Sequence, residues 1–228
     1  MVDVVLVELE GVLFETRELR LDSLRDALAA QGAPDAFDAE AVLGLPTRAA
    51  VSAALNAADV RADDVLIDLV ALAAERAFTS RLAAGGINVA RGARPFFERA
   101  ATSARLGAVT RLNRADAGTL LRLAGIDKVF GTVVCGDDVL DPKPSPEGYQ
   151  LAIDRMSRPQ RIARGAILAL EDSAPGIAAA RATRIRCIAV GNVAAHVAME
   201  ADAYVSSLER QTLTALDQLS RPGQERVQ

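Results

Sequence analysis

The feature that most constrains the fold is a series of short, continuous apolar runs separated by stretches of helical periodicity. Each run is about one strand long, and continuous runs are typical of strands buried on both faces of a parallel sheet. The predicted strands are Val4–Val7, Leu106–Val109, Thr132–Val134, Ala166–Leu170 and Cys187–Val190. The predicted helices are Arg114–Leu123, Pro146–Met156 and Gly176–Thr183. Alternating strands and helices predict an open α/β fold.

Residues 17–88 follow a different pattern, because they are rich in Ala and Leu at helical spacing and contain no strand-like run. We therefore predict a helical domain at 17–88, inserted after the first strand of a core domain that comprises 1–16 and 89–228. The pair Gly85-Gly86 marks the predicted return to the core. The C-terminal stretch "SRPGQERVQ" is predicted to be frayed.

Composition excludes several classes of function. The net charge of −4 and the lack of Trp disfavour a nucleic-acid-binding surface, which needs basic and aromatic side chains. No apolar run approaches the roughly 20 residues of a membrane span, and the first strand begins too early to leave room for a signal peptide. Cys135 and Cys187 end apolar runs and are predicted to be buried free thiols. We expect a cytoplasmic monomer or homodimer.

Polar residues collect after the predicted strands, where an open parallel sheet binds its ligands. Carboxylates at two strand ends suit a hard cation, most naturally Mg²⁺. A hydroxyl and a Lys nearby suit a phosphate group. A metal and a phosphate that share one site predict phosphoryl transfer. The residues concerned are Glu8, Glu10, Thr110, Arg111, Asn113, Asp137, Asp138, Lys143, Glu171, Asp172 and Asn192.

Each of these residues also has a purely structural interpretation. Thr110 and the Asp172-Ser173 pair are equally typical of helix caps. Lys143 is more indicative of function, because Lys128 and Lys143 are the only lysines among 26 basic residues and prolines stiffen the loop around Lys143. The alternative interpretation of Lys143 is a solvated surface position without a ligand. His196, the only histidine, is best explained by surface exposure or packing.

Four motifs occur in an order that resembles the haloacid dehalogenase-like superfamily, in the branch of β-phosphoglucomutase and phosphoglycolate phosphatase. They are "ELEGVLFET", "AVTRLNR", "GDDVLDPKPSPEGY" and "ALEDSAPGIAAARA". The resemblance spans nearly the whole chain. It implies a Rossmann-like core sheet, a helical cap inserted after the first strand, Mg²⁺ as cofactor and a small phosphorylated metabolite as substrate.

The resemblance also implies a role for each matching residue. Glu8 stands at the nucleophile position, and Glu10 stands at the position of the general acid and base. The implied phosphate ligands are Thr110 and Lys143, with Arg111 and Asn113 as further candidates. The implied Mg²⁺ ligands are Glu8, the Glu10 carbonyl, Glu171 and Asp172. Arg48, which follows "GLPT" in the predicted cap, is the candidate for contacting the substrate.

The first motif departs from the family pattern, which has Asp where this chain has Glu8, Glu10 and usually where it has Glu15. The charge is conserved but each side chain is longer, and misplacing a reacting group by about 1 Å can cost on the order of 10²-fold in rate. Arg111 either serves as an additional phosphate ligand or occupies the pocket in place of one. Two hypotheses stay open. One is a Mg²⁺-dependent phosphatase or phosphomutase impaired at Glu8, and the other is a non-catalytic relative that binds a phosphorylated ligand or a protein partner.

Overall fold

The computed structural model describes residues 1–85, 87–158 and 161–221. The chain divides into two compact units. The first comprises Met1–Glu15 and the described residues from Asn88 onward, and the second comprises Thr16–Ile87.

The first unit is built on a six-stranded sheet in the order β5-β4-β1-β6-β7-β8, in which all neighbouring strands are parallel. A short antiparallel ribbon pairs β2 with β3. The strands are β1 Val4–Val7, β2 Phe14–Glu15, β3 Asn88–Val89, β4 Arg105–Val109, β5 Phe130–Val134, β6 Ile167–Glu171, β7 Arg186–Val190 and β8 Ala203–Val205. The predicted α/β fold with a parallel, Rossmann-like sheet is confirmed.

Helices account for most of the remaining described chain. Those of the second unit are α1 Arg17–Ala29, α2 Ala39–Val42, α3 Thr47–Ala57 and α4 Asp64–Ala84. Those of the first unit are α5 Ala93–Ala100, α6 Arg114–Leu123, α7 Glu147–Met156, α8 Ala174–Ala182, α9 Ala195–Ala198 and α10 Leu213–Leu219. Short 3₁₀ helices lie at Gly136–Asp138 and Arg164–Ala166.

The position of β1 explains where the core and the polar edge lie. Every residue of β1 is buried, as expected of a central strand with a parallel neighbour on each side. Because β4 and β6 flank β1 in parallel, the carboxyl ends of these three strands meet at one edge of the sheet. Residues that follow them are therefore brought together.

The second unit has an apolar core of its own. Leu24 and Leu28 of α1, Leu55 of α3 and Val70 of α4 belong to one buried cluster. The helical periodicity of the sequence reflects this burial, because only one face of each helix contributes to the cluster. Within the same unit, Arg20 of α1 pairs with the carboxylate of Glu75 on α4 at 3.0 Å.

The strand and helix boundaries lie within two residues of the predicted ones. Three pairing elements were not predicted, namely β2, β3 and β8. These have only two or three residues each, too few to form a recognisable apolar run. Gly86 and most of the predicted frayed C-terminus lie outside the described residues.

Three smaller predictions concern single residues and membrane spans. Cys135 and Cys187 are buried and free, as predicted. His196 is exposed in the short helix α9, in line with its predicted surface position. Within the described ranges, we find no helix with the length and apolar character required to cross a membrane.

Candidate functional site at the carboxyl edge of the sheet

The loop after β1 binds the side chain of Glu8 through its backbone N–H groups. The Glu8 N–H donates to the Leu170 carbonyl at 3.0 Å, which continues the pairing of β1 with β6 for one more residue. Atom Oε1 of Glu8 accepts hydrogen bonds from the backbone N–H groups of Leu9 at 2.7 Å and Glu10 at 3.2 Å. The Glu8 carboxylate is thus buried and fixed by its own loop.

Lys143 reaches this loop from the segment between β5 and α7. Its Nζ donates to Oε2 of Glu8 at 2.8 Å, to the carbonyl of Val109 at 2.9 Å and to Oε1 of Glu171 at 2.5 Å. Burial of Lys143 favours the neutral amine, but the charges of Glu171 and Glu8 outweigh burial and raise the pKa of Lys143. We conclude that Lys143 is a largely buried ammonium that joins the ends of β1, β4 and β6.

Glu171 is the last residue of β6 and is completely buried. Its Oε1 accepts from Lys143 and also from the Tyr149 hydroxyl, at 2.6 Å. Burial raises the pKa of Glu171, which Lys143 opposes. The other oxygen, Oε2, has no hydrogen-bond partner in the described part of the chain, and the carboxylate packs so closely on Gly176 that a Cβ there would collide with it.

Asp172 follows β6 and packs against the first loop at Gly11. Gly11 has a positive φ of 73°, and a Cβ built on it would collide with the Asp172 carboxylate. Burial, followed by the charges of Glu171 and Glu8, raises the pKa of Asp172 well above its usual range. The loop after β1 and the loop after β6 therefore need a glycine at this contact.

Of the three other predicted phosphate ligands in the first unit, Thr110 and Arg111 lie at the sheet edge, whereas Asn113 caps a helix. Thr110 is buried directly after β4, and its Oγ1 accepts from the Leu112 N–H at 3.3 Å. Arg111 donates from Nε to Oε2 of Glu10 at 3.2 Å, which places the guanidinium on the first loop. Asn113 instead caps α6, where its side chain accepts from the Asp116 N–H and donates to the Asp116 carboxylate.

Arg48 lies in the second unit, at the start of α3. Its guanidinium is about half exposed and pairs with two carboxylates of α4, Asp64 at 2.5 Å and Asp68 at 2.7 Å. A contact between Arg48 and a substrate would have to compete with these two ion pairs.

Sequence reasoning did not single out Tyr149 as a site residue. Tyr149 is completely buried at the first turn of α7, with its hydroxyl on Glu171 and its ring 5.3 Å from the Lys143 ammonium. Burial and the neighbouring Glu171 charge raise the pKa of Tyr149, so the hydroxyl stays protonated and donates a hydrogen bond to Glu171. The signal available in the sequence was its position six residues after Lys143, at the start of a predicted helix.

A second acidic group forms around the 3₁₀ helix after β5. Cys135, Asp137 and Asp138 have potential ligand atoms within 4.8 Å of one another. Asp138 is already bound by Arg114 and by the Cys135 N–H, and burial raises the pKa of Cys135 to about 11. Since these groups are engaged with each other and the thiol is protonated, we assign no metal site here.

The charges at the sheet edge suit a divalent cation. Four carboxylates, those of Glu8, Glu10, Glu171 and Asp172, lie with two cationic side chains, Lys143 and Arg111, so negative charge is in excess. Burial keeps much of this charge away from water. Burial first, and then repulsion from Glu171 and Glu8, raise the pKa of Asp172. Oxygen ligands and excess negative charge suit Mg²⁺, a hard cation. The chemistry of the donor set therefore fits Mg²⁺.

Comparison with known proteins defines the family. Residues 5–190 match the model of the haloacid dehalogenase-like hydrolases. Because this match covers most of the 228-residue chain, the protein belongs to that family. The resemblance inferred from the four motifs is confirmed.

Two curated relatives are similar over most of their length. Protein CbbY of Rhodobacter capsulatus is 28% identical over 192 residues, which are 79% of this chain and 82% of the relative. The phosphorylated carbohydrates phosphatase of Thermotoga maritima is 26% identical over 191 residues, which are 82% of this chain and 83% of the relative.

Solved structures show the same architecture. A variant of CbbY from Rhodobacter sphaeroides, solved with xylulose-1,5-bisphosphate, has a TM-score of 0.79 and 26% identity, with 95% of this chain and 100% of that chain covered. A β-phosphoglucomutase from Clostridium difficile has a TM-score of 0.80 over 96% of this chain and 97% of that chain; at 15% identity this shows the shared fold alone.

Proposed function

We propose that the protein is a Mg²⁺-dependent phosphatase or phosphomutase-type enzyme that acts on a small phosphorylated carbohydrate, at a rate reduced by Glu8. The observation that carries the proposal is the meeting of Glu8, Lys143 and Glu171 at the edge of the sheet, joined by hydrogen bonds of 2.5 to 2.8 Å. The substrate class is supported by the relatives, one of which is a phosphatase of phosphorylated carbohydrates.

In this proposal Glu8 is the nucleophile. One of its carboxylate oxygens attacks phosphorus, the bond from phosphorus to the leaving oxygen breaks, and Glu10 gives a proton to that oxygen. Water then attacks the acyl phosphate, releases inorganic phosphate and restores Glu8, while Glu10 takes up the proton. Lys143 offsets the charge of Glu8 and of the phosphoryl group, and the Thr110 hydroxyl donates to a phosphoryl oxygen.

The candidates for holding Mg²⁺ are Glu8, the Glu10 carbonyl and Asp172, with Glu171 beside them. Bound Mg²⁺ would supply positive charge that offsets the charge of the phosphoryl group. To hold Mg²⁺, Glu8 would have to offer one of its carboxylate oxygens to the ion, although both oxygens already accept hydrogen bonds. This competition, together with the longer side chain, is why we propose a reduced rate.

The second unit, 16–87, is proposed as the cap that selects the substrate, with Arg48 as a contact. Replacing Arg48 by Ala is expected to raise KM for a sugar phosphate more than it lowers kcat, because the residue would bind the substrate away from the reacting atoms.

The proposed activity is tested with purified protein, p-nitrophenyl phosphate and a panel of sugar phosphates, with Mg²⁺ and again with EDTA. The proposal expects turnover that depends on Mg²⁺ and is lost in Lys143→Ala. No turnover above that of Lys143→Ala with any substrate would contradict it.

A second candidate function is supported by one observation, the hydrogen bonds that hold the Glu8 carboxylate on its own loop. A side chain so held is poorly placed to attack a ligand, which favours a non-catalytic protein that binds a phosphorylated metabolite or a protein partner. The turnover of wild type separates the two functions. Turnover above that of Lys143→Ala favours the impaired enzyme. No turnover by wild type, with a large gain in the double variant Glu8→Asp with Glu10→Asp, favours a binding scaffold that has lost its chemistry.

A further inference from the structure

The backbone N–H groups of Leu9 and Glu10 point at the same atom, Oε1 of Glu8. Successive N–H groups that converge in this way form a concavity that binds anions. A side-chain carboxylate from the residue directly before them fills the concavity here. The loop after β1 therefore contains an anion site that is already occupied by part of the chain.

A third donor completes this anion site. The Lys143 ammonium donates to the second oxygen, Oε2, at 2.8 Å, so one carboxylate is bound by two N–H groups and one cation. The Glu8 side chain is 5% exposed and that of Lys143 is 13% exposed, so water competes weakly for these donors. Two N–H groups and an ammonium suit the oxygens of a phosphoryl group equally well, since charge-assisted bonds to either anion are strong.

We propose that the Glu8 carboxylate is an internal ligand of the anion cradle formed by the Leu9 N–H, the Glu10 N–H and the Lys143 ammonium, and that a phosphoryl group binds there only after Glu8 swings out. The identity of the ligand rests on the proposed function. In this chain Glu8 sets the affinity for phosphate by occupying the place where phosphate binds.

The size of the effect follows from the fraction of molecules in which the cradle is free. The apparent Kd of a ligand is its intrinsic Kd divided by the fraction of the protein that is competent to bind. If Glu8 leaves the cradle in about a tenth of the molecules or fewer, vacating it permanently tightens binding by about 10-fold or more.

The experiment measures binding of inorganic phosphate by isothermal titration calorimetry, with EDTA present so that only the chain's own groups contribute. Wild type is compared with Glu8→Ala and Glu8→Ser, which vacate the cradle. Glu8→Gln is the matched control, because its amide oxygen still accepts from the same N–H groups while its charge is gone. Glu15→Gln removes a charge from an exposed residue of the same motif without vacating the cradle.

The proposal expects Glu8→Ala and Glu8→Ser to bind phosphate about 10-fold or more tightly than wild type, with Glu8→Gln and Glu15→Gln much closer to wild type. Equal gains in Glu8→Ala and Glu8→Gln would overturn it, because loss of charge alone would then explain the effect. Phosphate binding by the vacating variants that is no tighter than in wild type would also overturn it.

A second readout uses wild type and Glu8→Ser directly. Phosphate is expected to shift the amide ¹⁵N and ¹H signals of Leu9 and Glu10 in Glu8→Ser at concentrations that leave them unchanged in wild type. Equal shifts in both proteins would overturn the proposal. The binding result is separate from the turnover of wild type described under the proposed function. Tighter phosphate binding by Glu8→Ser with no turnover by wild type would contradict only the proposed activity. Turnover by wild type without the gain in binding by Glu8→Ser would contradict only this inference.

Discussion

The ammonium of Lys143 donates a hydrogen bond of 2.8 Å to the carboxylate of Glu8, although 135 positions separate the two residues in the chain. The contact is nearly dry, because both side chains are largely buried. It connects the loop after β1 to the segment that precedes α7. The stability of the sheet edge and its proposed chemistry therefore depend on the same pair.

Replacing Lys143 by Met tests the structural role of this pair. The change leaves the buried carboxylates of Glu8 and Glu171 without their shared cation, and breaking a buried ion pair in this way costs about 3 kcal/mol or more. We expect the free energy of unfolding in urea to fall by that amount. The matched control is Lys128→Met, which changes the only other lysine, an exposed one, and is expected to stay within about 0.5 kcal/mol of wild type.

The double variant Lys143→Met with Glu171→Gln gives a further check on the same pair. Since the amide that replaces the Glu171 carboxylate is neutral, the double variant removes one of the two stranded charges and is expected to recover part of the lost stability. A double variant that is as unstable as the sum of the two single variants would contradict the assigned ion pair.

Replacing Tyr149 by Phe removes the hydroxyl that donates to Oε1 of Glu171 at 2.6 Å. A buried hydrogen bond to a charged group contributes about 1.5 to 3 kcal/mol, so chemical denaturation should show a loss in this range. Tyr204→Phe is the control, because the hydroxyl of Tyr204 lies on a half-exposed residue and binds only a backbone carbonyl. Losses of equal size in both variants would argue against a special contact between Tyr149 and Glu171.

Replacing Gly11 by Ala adds a methyl group that collides with the Asp172 carboxylate, at a φ of 73°. Gly32→Ala is a matched control for the backbone, because Gly32 has a φ of 70° and open space around it. Each variant carries the left-handed penalty of about 1 to 2 kcal/mol. We expect Gly11→Ala to lose at least about 1 kcal/mol more than Gly32→Ala in thermal or urea unfolding. Equal losses would mean that Asp172 moves aside without cost.

Asp138 predicts a dependence of stability on pH. Burial opposes its ionisation, but the hydrogen bonds from the Cys135 N–H and from Arg114 outweigh burial and lower the pKa of Asp138. A lowered pKa in the folded state stabilises the fold above the unfolded-state pKa of about 4, and this contribution is lost as the pH falls through the folded value. Arg114 is more than half exposed, so we expect a contribution of only about 1 kcal/mol.

The measurement for Asp138 compares the thermal unfolding of wild type and Asp138→Asn from pH 7 to pH 3. The stability difference between them should be constant down to about pH 5 and shrink below about pH 4. Asp141→Asn, at an exposed neighbouring position, provides the baseline. A difference that stays constant down to pH 3 would contradict the assigned cause.

The fold was predictable because burial leaves a clear pattern in the sequence. The continuous run Val4–Val7 is β1 without any change of boundary, since a strand covered on both faces has no polar positions. Arg114–Leu123 is likewise α6, because its buried residues recur at helical spacing. The ribbon of β2 and β3 could not be found, since two-residue strands depend on a partner that is distant in sequence.

The candidate site was predictable in its residue types but not in its contacts. The order of the motifs indicated Glu8, Lys143 and Glu171, and the parallel sheet explains why they meet. Nothing in the sequence indicates that the Glu8 side chain turns back onto the N–H groups of Leu9 and Glu10, because that depends on side-chain torsions. Nor does it show that Asn113 is occupied by capping α6, since capping and ligand binding use the same side-chain atoms.

The proposed chemistry depends most on the length of the carboxylate at position 8. Hydrolysis of p-nitrophenyl phosphate with Mg²⁺ by wild type and Glu8→Asp tests it, with Glu15→Asp as a control that shortens an exposed glutamate of the same motif. We predict that Glu8→Asp raises kcat/KM by about 10- to 100-fold, since an error of about 1 Å at a reacting group costs about 10²-fold, while Glu15→Asp leaves it unchanged. A Glu8→Asp variant that is no faster than wild type would contradict the proposal that Glu8 limits a phosphatase site.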